Sequence, residues 1–223
     1  CYFNKGISRK VEDWQILSAV RGKAFGVTQI NRKIHETFKK DTIKFAREKY
    51  KIPKPLGPEE IVYGDKVINL INNKRNCYPK DGVGYIANGE IGIVVGQFKN
   101  SKMNFKGRPK FLKVDFSSQV EYEYTFTEGK DFKEDRGVAL ELAYALTVHK
   151  AQGSEFKLVI LIIPNPCFLL SRELLYTALT RQIDRIVILH QNDLNLLRGY
   201  STDFYSEIAL RLTNIFEDPS PKE

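Results

Sequence analysis

The sequence is poor in anything that would brace it covalently or hold it in lipid. Its 223 residues include three cysteines, Cys1, Cys77 and Cys167, far apart and in no CxxC pair. That spacing excludes a disulfide framework and a cysteine zinc site, and reduced thiols in the cytoplasm are the simpler expectation. The longest strongly apolar run, 158–163, is closed by Pro164, so it reads as a buried strand and is too short to span a bilayer. No signal peptide and no internal repeat are visible, and no membrane partner is expected. The chain opens on Cys1 rather than Met, as a trimmed chain or a fragment would. Also absent is a phosphate-cradling loop of the form G-x-x-x-x-G-K-[ST]. Gly22-Lys23 is followed by Ala24 and lacks the upstream glycine, and Gly129-Lys130 is followed by Asp131. A self-sufficient ATPase is therefore not expected.

What is present is a foldable, basic chain. Apolar residues make up 42%, enough for a core, and the length allows one large domain or two small ones. Lys and Arg total 35 against 27 Asp and Glu, a net charge of +8. Such a balance favours an acidic partner, nucleic acid being the commonest, although many basic proteins bind none.

Three textures follow one another along the chain. WQILS at 14–18 reads as a short buried strand. Val27, Ile30, Ile34 and Phe38 then recur at helical spacing, predicting an amphipathic helix over 27–40. A basic, polar helix continues to about residue 50, until Pro53, Pro55, Gly57 and Pro58 stop it. From 61 to 132, short β-rich runs separated by Gly, Asn and Pro predict a small, mostly antiparallel barrel or sheet. The last third returns to α/β texture. It has strands over 140–146, 157–163 and 185–190, a helix capped by Ser171 running to about Arg181, and a final helix over 201–216. The tail 217–223 reads as disordered. The simplest architecture is an α/β domain made of 1–58 and 136–216, interrupted by a β module at 59–135.

Two segments carry candidate chemistry. TVHKAQGSEF (147–156) crowds polar groups between two strands, which points to a site, although a polar loop with a turn glycine is the commoner explanation of any such segment. LLYTALTRQ (174–182) ends a helix on Arg181, where capping of the helix C-terminus is sufficient explanation. Each segment alone decides nothing.

Taken together, TVHKAQGSEF and YTALTR resemble the fifth and sixth motifs of superfamily 1 DNA helicases, and HKAQGSEF resembles the RecD-like branch. ILSAVRGKAFGVTQIN (16–31) resembles the fourth motif more loosely, with Ala19 where many relatives have Pro. GDKVINLINN and NGEIGIVV resemble the SH3-like barrel that this branch inserts into its second RecA-like domain. The resemblance covers most of 12–192. It implies a RecA-like, P-loop NTPase-type parallel-sheet domain with an inserted SH3-like β-barrel, the second motor domain of an ATP-dependent helicase or translocase. Movement 5′ to 3′ on single-stranded DNA is implied as well. In this family ATP with Mg2+ sits between two RecA-like domains, held mainly by the first. The fragment alone would then be inactive, and its partners would be single-stranded DNA and an N-terminal RecA-like domain of the same polypeptide.

Residue by residue, the resemblance makes Arg181 the arginine finger and Glu155 the acceptor for a ribose hydroxyl. Gly153 would give the nucleotide close backbone approach, and Arg21 would be a second γ-phosphate contact. Thr147, His149 and Lys150 would face the single strand, where hydroxyl, imidazole and ammonium all suit phosphate oxygens. A core histidine bonded to a backbone carbonyl is the bland alternative for His149. The basic stretch 99–113 suits a phosphate backbone or simply a solvated hairpin, and the acidic run in 121–135 argues against a uniformly DNA-binding barrel. A non-catalytic nucleic-acid-binding module and a nuclease–helicase fusion are the rival readings.

Overall fold

The fold was obtained as a computed structural model, which describes residues 6–48, 53–99, 110–133, 137–165, 167–191 and 193–210. Ten strands of two sheets matter for the site. They are β1 (Trp14–Ser18), β2 (Lys66–Asn69), β3 (Cys77–Tyr78), β4 (Ile91–Lys99), β5 (Lys110–Phe116), β6 (Glu123–Thr127), β7 (Leu140–Leu142), β8 (Ala145–Thr147), β9 (Phe156–Ile163) and β10 (Gln182–His190). Four helices accompany them: α1 (Val27–Phe38), α2 (Lys40–Glu48), α3 (Arg172–Leu179) and α4 (Leu194–Gly199).

The first and last thirds of the chain build a four-stranded sheet, ordered β8-β1-β9-β10, with every neighbouring pair parallel. Parallel strands need crossover connections, and helices supply two of them. The crossover through α1 runs one way along the sheet and that through α3 runs the other. Right-handed crossovers in opposite directions place their helices on opposite faces. Leu174, Leu175 and Ala178 of α3 join Val159, Leu161 and Ile163 of β9 in one buried cluster. The opposite face over β9 and β10 is less covered, and Val187 and Leu189 remain exposed there.

The middle third builds a six-stranded sheet, ordered β7-β2-β4-β5-β6-β3 and antiparallel throughout. Its alternating residues bury Val94, Leu112, Val114, Phe116, Tyr124 and Phe126 on one side. Two-residue pairings, Asn73–Lys74 with Tyr85–Ile86 and Phe132–Lys133 with Gly137–Val138, close its ends. Of the basic stretch 99–113, positions 100–109 lie outside the described residues. At its far end, Lys110 and Lys113 pair with Glu128 and Glu123 of the acidic run.

Several expectations meet a different outcome. The single strand expected over 140–146 is two strands, β7 in the antiparallel sheet and β8 in the parallel one, separated only by Ala143 and Tyr144. The antiparallel sheet therefore reaches Leu142, beyond the boundary expected at 135. The helix expected over 27–40 ends at Phe38 as α1, and the basic, polar helix expected after it is α2, set off by a break at Lys39. The expected helix over 201–216 starts as the turn Asp203–Tyr205, followed by Glu207–Leu210. Ser206 between them donates to Glu173 Oε1 at 2.5 Å, which fixes the break. Positions 211–216 and the tail 217–223 lie outside the described residues.

The two sheets are fastened by buried polar groups as well as by apolar packing. Ile68 and Ile91 of the antiparallel sheet belong to the same core cluster as Leu17 and Phe156 of the parallel one. Asp65, fully buried, accepts from Tyr144 Oη at 2.7 Å and from the Val62 backbone N–H at 2.7 Å, and lies 2.9 Å from His35 Nε2 on α1. A buried carboxylate with three partners is a satisfied one. Among the described residues, no helix is long and apolar enough to cross a membrane.

Candidate functional site

In a parallel sheet all strands start at one edge and finish at the other, and the site residues divide between those edges. The strand β9 has eight residues, which at ~3.3 Å per residue separates the edges by roughly 25 Å.

At the starting edge stand Glu155, immediately before β9, and Arg181, immediately before β10. The Phe156 backbone N–H donates to the Arg181 carbonyl at 2.8 Å, which stitches the two segments side by side. The Arg181 guanidinium is half-buried. It donates from Nη1 to the Ser154 carbonyl at 3.2 Å, from Nε to the Thr177 carbonyl at 3.2 Å and from Nη2 to Thr180 Oγ1 at 3.1 Å. The bond to Thr177 is the C-terminal capping that the sequence allowed, and the bond to Ser154 goes beyond it. Glu155 is exposed. Gly153 has φ +85, a conformation that side-chain-bearing residues adopt at a cost, while a Cβ there would meet nothing within 4 Å. Its glycine is required by the turn, not by a close neighbour.

Beneath this edge lies a residue that sequence reading missed. Lys66 of β2 is buried, donates to the Trp14 carbonyl at 2.7 Å and sits 4.7 Å from the centre of the Trp14 ring. Burial drives its pKa down to about 7, against weaker upward pulls from Glu12 and Asp13. Nothing in the run GDKVINL marks this lysine as internal.

At the finishing edge stand Thr147, the last residue of β8, then His149 and Lys150 on the single turn that follows, and Arg21 beyond the end of β1. The loop carrying Arg21 is pinned by Gly26, where a Cβ would lie 2.6 Å from the Arg21 carbonyl oxygen. Thr147 Oγ1 accepts from the Lys150 backbone N–H at 3.3 Å. His149 is exposed, so it is not a core histidine.

Arg21 is thus placed with Lys150 and not with Arg181, and one carboxylate joins the pair. Arg21 Nη2 lies 2.7 Å from Glu141 Oε1, and Lys150 Nζ lies 2.7 Å from Glu141 Oε2. These three residues and Thr147 line a shallow cleft open to solvent. Burial works to raise the Glu141 pKa, but Lys150 and Arg21 outweigh it and hold the carboxyl below its usual range. The neighbouring Glu59, whose Oε2 accepts from the Leu142 backbone N–H at 2.5 Å, is pushed upward, chiefly by burial. Sequence reading missed Glu141 too, because in LEL it looks like the ordinary polar position of an alternating strand.

Known proteins share these segments. Residues 142–189 match the UvrD-like helicase C-terminal domain. The chain is 32% identical over 217 residues to an uncharacterised protein of Methanocaldococcus jannaschii, a match covering 92% of this chain and 17% of that protein. It is 32% identical over 179 residues to the RecBCD enzyme subunit RecD of Buchnera aphidicola, covering 79% of this chain and 24% of RecD. Over 123 residues it is 36% identical to the ATP-dependent RecD2 DNA helicase of Deinococcus radiodurans, covering 55% of this chain and 13% of that helicase. The chain therefore spans about a quarter or less of the length of these relatives.

Proposed function

Because the chain carries the C-terminal domain of a superfamily 1, RecD-like helicase, we propose that it is the second motor domain of an ATP-dependent DNA helicase, moving 5′ to 3′ on single-stranded DNA. The β module, expected at 59–135 and extended by β7 to Leu142, is its SH3-like barrel insertion, and the protein works in the cytoplasm. A first RecA-like domain supplies the phosphate-cradling loop and holds Mg2+.

The observation that carries the reading is the bond between Arg181 and the Ser154 carbonyl, which puts the sixth-motif arginine against the fifth-motif loop. In this arrangement Arg181 presents a permanently charged, planar guanidinium to the phosphoryl group being transferred, where it stabilises developing charge. Glu155, exposed beside it, accepts from a ribose hydroxyl. The turn 148–155 leads from the finishing edge back to the starting edge. A shift at Glu155 on nucleotide binding is therefore transmitted to His149 and Lys150, which hold the strand. Alone the chain neither hydrolyses ATP nor unwinds DNA.

The test is ATPase activity stimulated by single-stranded DNA in the full polypeptide, wild type against Arg181→Ala. Loss of turnover with DNA binding kept supports the reading. Equal turnover in both proteins makes the domain a binding scaffold instead.

A further inference from the structure

Two cations at the finishing edge are held by one carboxylate, and the geometry of that contact resembles a bound phosphodiester. Arg21 and Lys150 come from segments far apart in sequence, and each takes one oxygen of Glu141 at 2.7 Å. A phosphodiester offers two non-bridging oxygens at nearly the same spacing as those of a carboxylate. The Thr147 hydroxyl, which accepts from the Lys150 backbone, stands in the same cleft and can donate outward. The side chains of Arg21, Glu141 and Lys150 are 56%, 24% and 27% exposed, so an incoming strand reaches the cations from solvent.

We propose that Glu141 is an internal surrogate for a DNA backbone phosphate: a single strand binds the finishing edge by displacing this carboxylate and taking over both Arg21 and Lys150. The inference rests on the single-stranded DNA reading above and assigns Arg21 to DNA rather than to the nucleotide. In the empty state the surrogate keeps two cations from attracting unrelated anions and holds them at the separation a phosphate needs. It also sets the affinity, because each binding event must break two existing ion pairs.

The experiment is a fluorescence-anisotropy titration of labelled oligothymidylate with the 223-residue chain over a series of salt concentrations. The variants are Glu141→Gln, Arg21→Ala, Lys150→Ala, the Arg21→Ala/Lys150→Ala double and that double combined with Glu141→Gln. Glu141→Gln is expected to tighten binding about three- to tenfold. Arg21→Ala and Lys150→Ala should each weaken it and each lower the salt slope by about 0.7, the share of one phosphate contact on a single strand. The gain from Glu141→Gln should vanish when both cations are gone, an outcome that a merely structural glutamate would not give. A Glu141→Gln chain that binds no tighter, or an Arg21→Ala chain with an unchanged salt slope, overturns the proposal while Lys150→Ala still tests the wider reading. Wild-type chain that binds no oligothymidylate overturns both. A fluorescent ATP analogue titrated in parallel separates the two sources of phosphate: tightening of nucleotide rather than DNA by Glu141→Gln assigns the cleft to nucleotide and overturns the proposal.

Discussion

The two edges of the parallel sheet treat positive charge in opposite ways. At the finishing edge Arg21 and Lys150 are ion-paired with one carboxylate within the same chain. At the starting edge Arg181 is fixed by the Ser154 and Thr177 carbonyls and a hydroxyl, with no ion-paired carboxylate among the described residues, while burial pushes the pKa of Lys66, beneath it, down to about 7. Carbonyl oxygens orient a guanidinium without cancelling its charge, so Arg181 keeps its full field for something outside the domain. A carboxylate cancels the field and must be displaced. The first arrangement suits a residue that waits for a second domain to bring the anion. The second suits a surface that strands of any sequence enter and leave.

The comparison breaks most visibly in turnover. Arg181→Ala in the full polypeptide should lower DNA-stimulated ATPase by ~10³–10⁵, the range for arginine fingers. Arg21→Ala, measured at saturating DNA, should lower it by no more than about tenfold, the worth of ~1.4 kcal/mol. Equal losses from the two changes would put both arginines on the nucleotide. Next in size is a pH effect at the starting edge. Lys66 has a folded pKa of about 7, below its unfolded value of ~10.4, so the unfolded chain binds more protons between those values. Stability should therefore rise with pH across that window, by at most ~1.4 kcal/mol per unit. Urea midpoints of Lys66→Met should lack that rise, and a wild-type curve flat from pH 7 to 10 would show that Lys66 is not desolvated. A smaller effect belongs to Gly153→Ala, which puts a side chain at φ +85 and should cost ~1–2 kcal/mol in urea unfolding. The smallest is Ser171→Ala. It removes the hydroxyl that accepts from Leu174 N at 3.1 Å and should cost ~1 kcal/mol without altering DNA affinity.

How much of this was readable beforehand follows from how local each cause is. WQILS is a strand at Trp14–Ser18, as its apolar, β-favouring residues indicate, and Ser171 caps α3 because a serine before an apolar helical repeat needs only its next three residues. The strand expected over 157–163 begins one residue earlier, and that expected over 185–190 begins at Gln182. LELAYAL reads as one strand because both sheets demand apolar residues and no Gly or Pro marks the change between them. The helix expected to reach Arg181 stops at Leu179, since Gln182 enters β10 opposite Phe156 and the Arg181 carbonyl just before it accepts from the Phe156 N–H. Arg21 was grouped with the nucleotide residues by resemblance, and its partner Glu141, 120 positions away, left no local trace.

Between the last paired residue of one sheet, Leu142, and the first of the other, Ala145, there is almost no spare chain. The two residues in between are buried, and the Asn31 amide grips both ends, donating to the Leu142 and Ala145 carbonyls at 3.0 Å and accepting from Ala145 N at 2.7 Å. Such a join behaves as a tie rod rather than a hinge. Tension or rotation applied to the antiparallel sheet reaches Thr147 and Lys150 undamped, and a single extra residue at 143–144 would turn β8 over, aiming Thr147 away from the cleft.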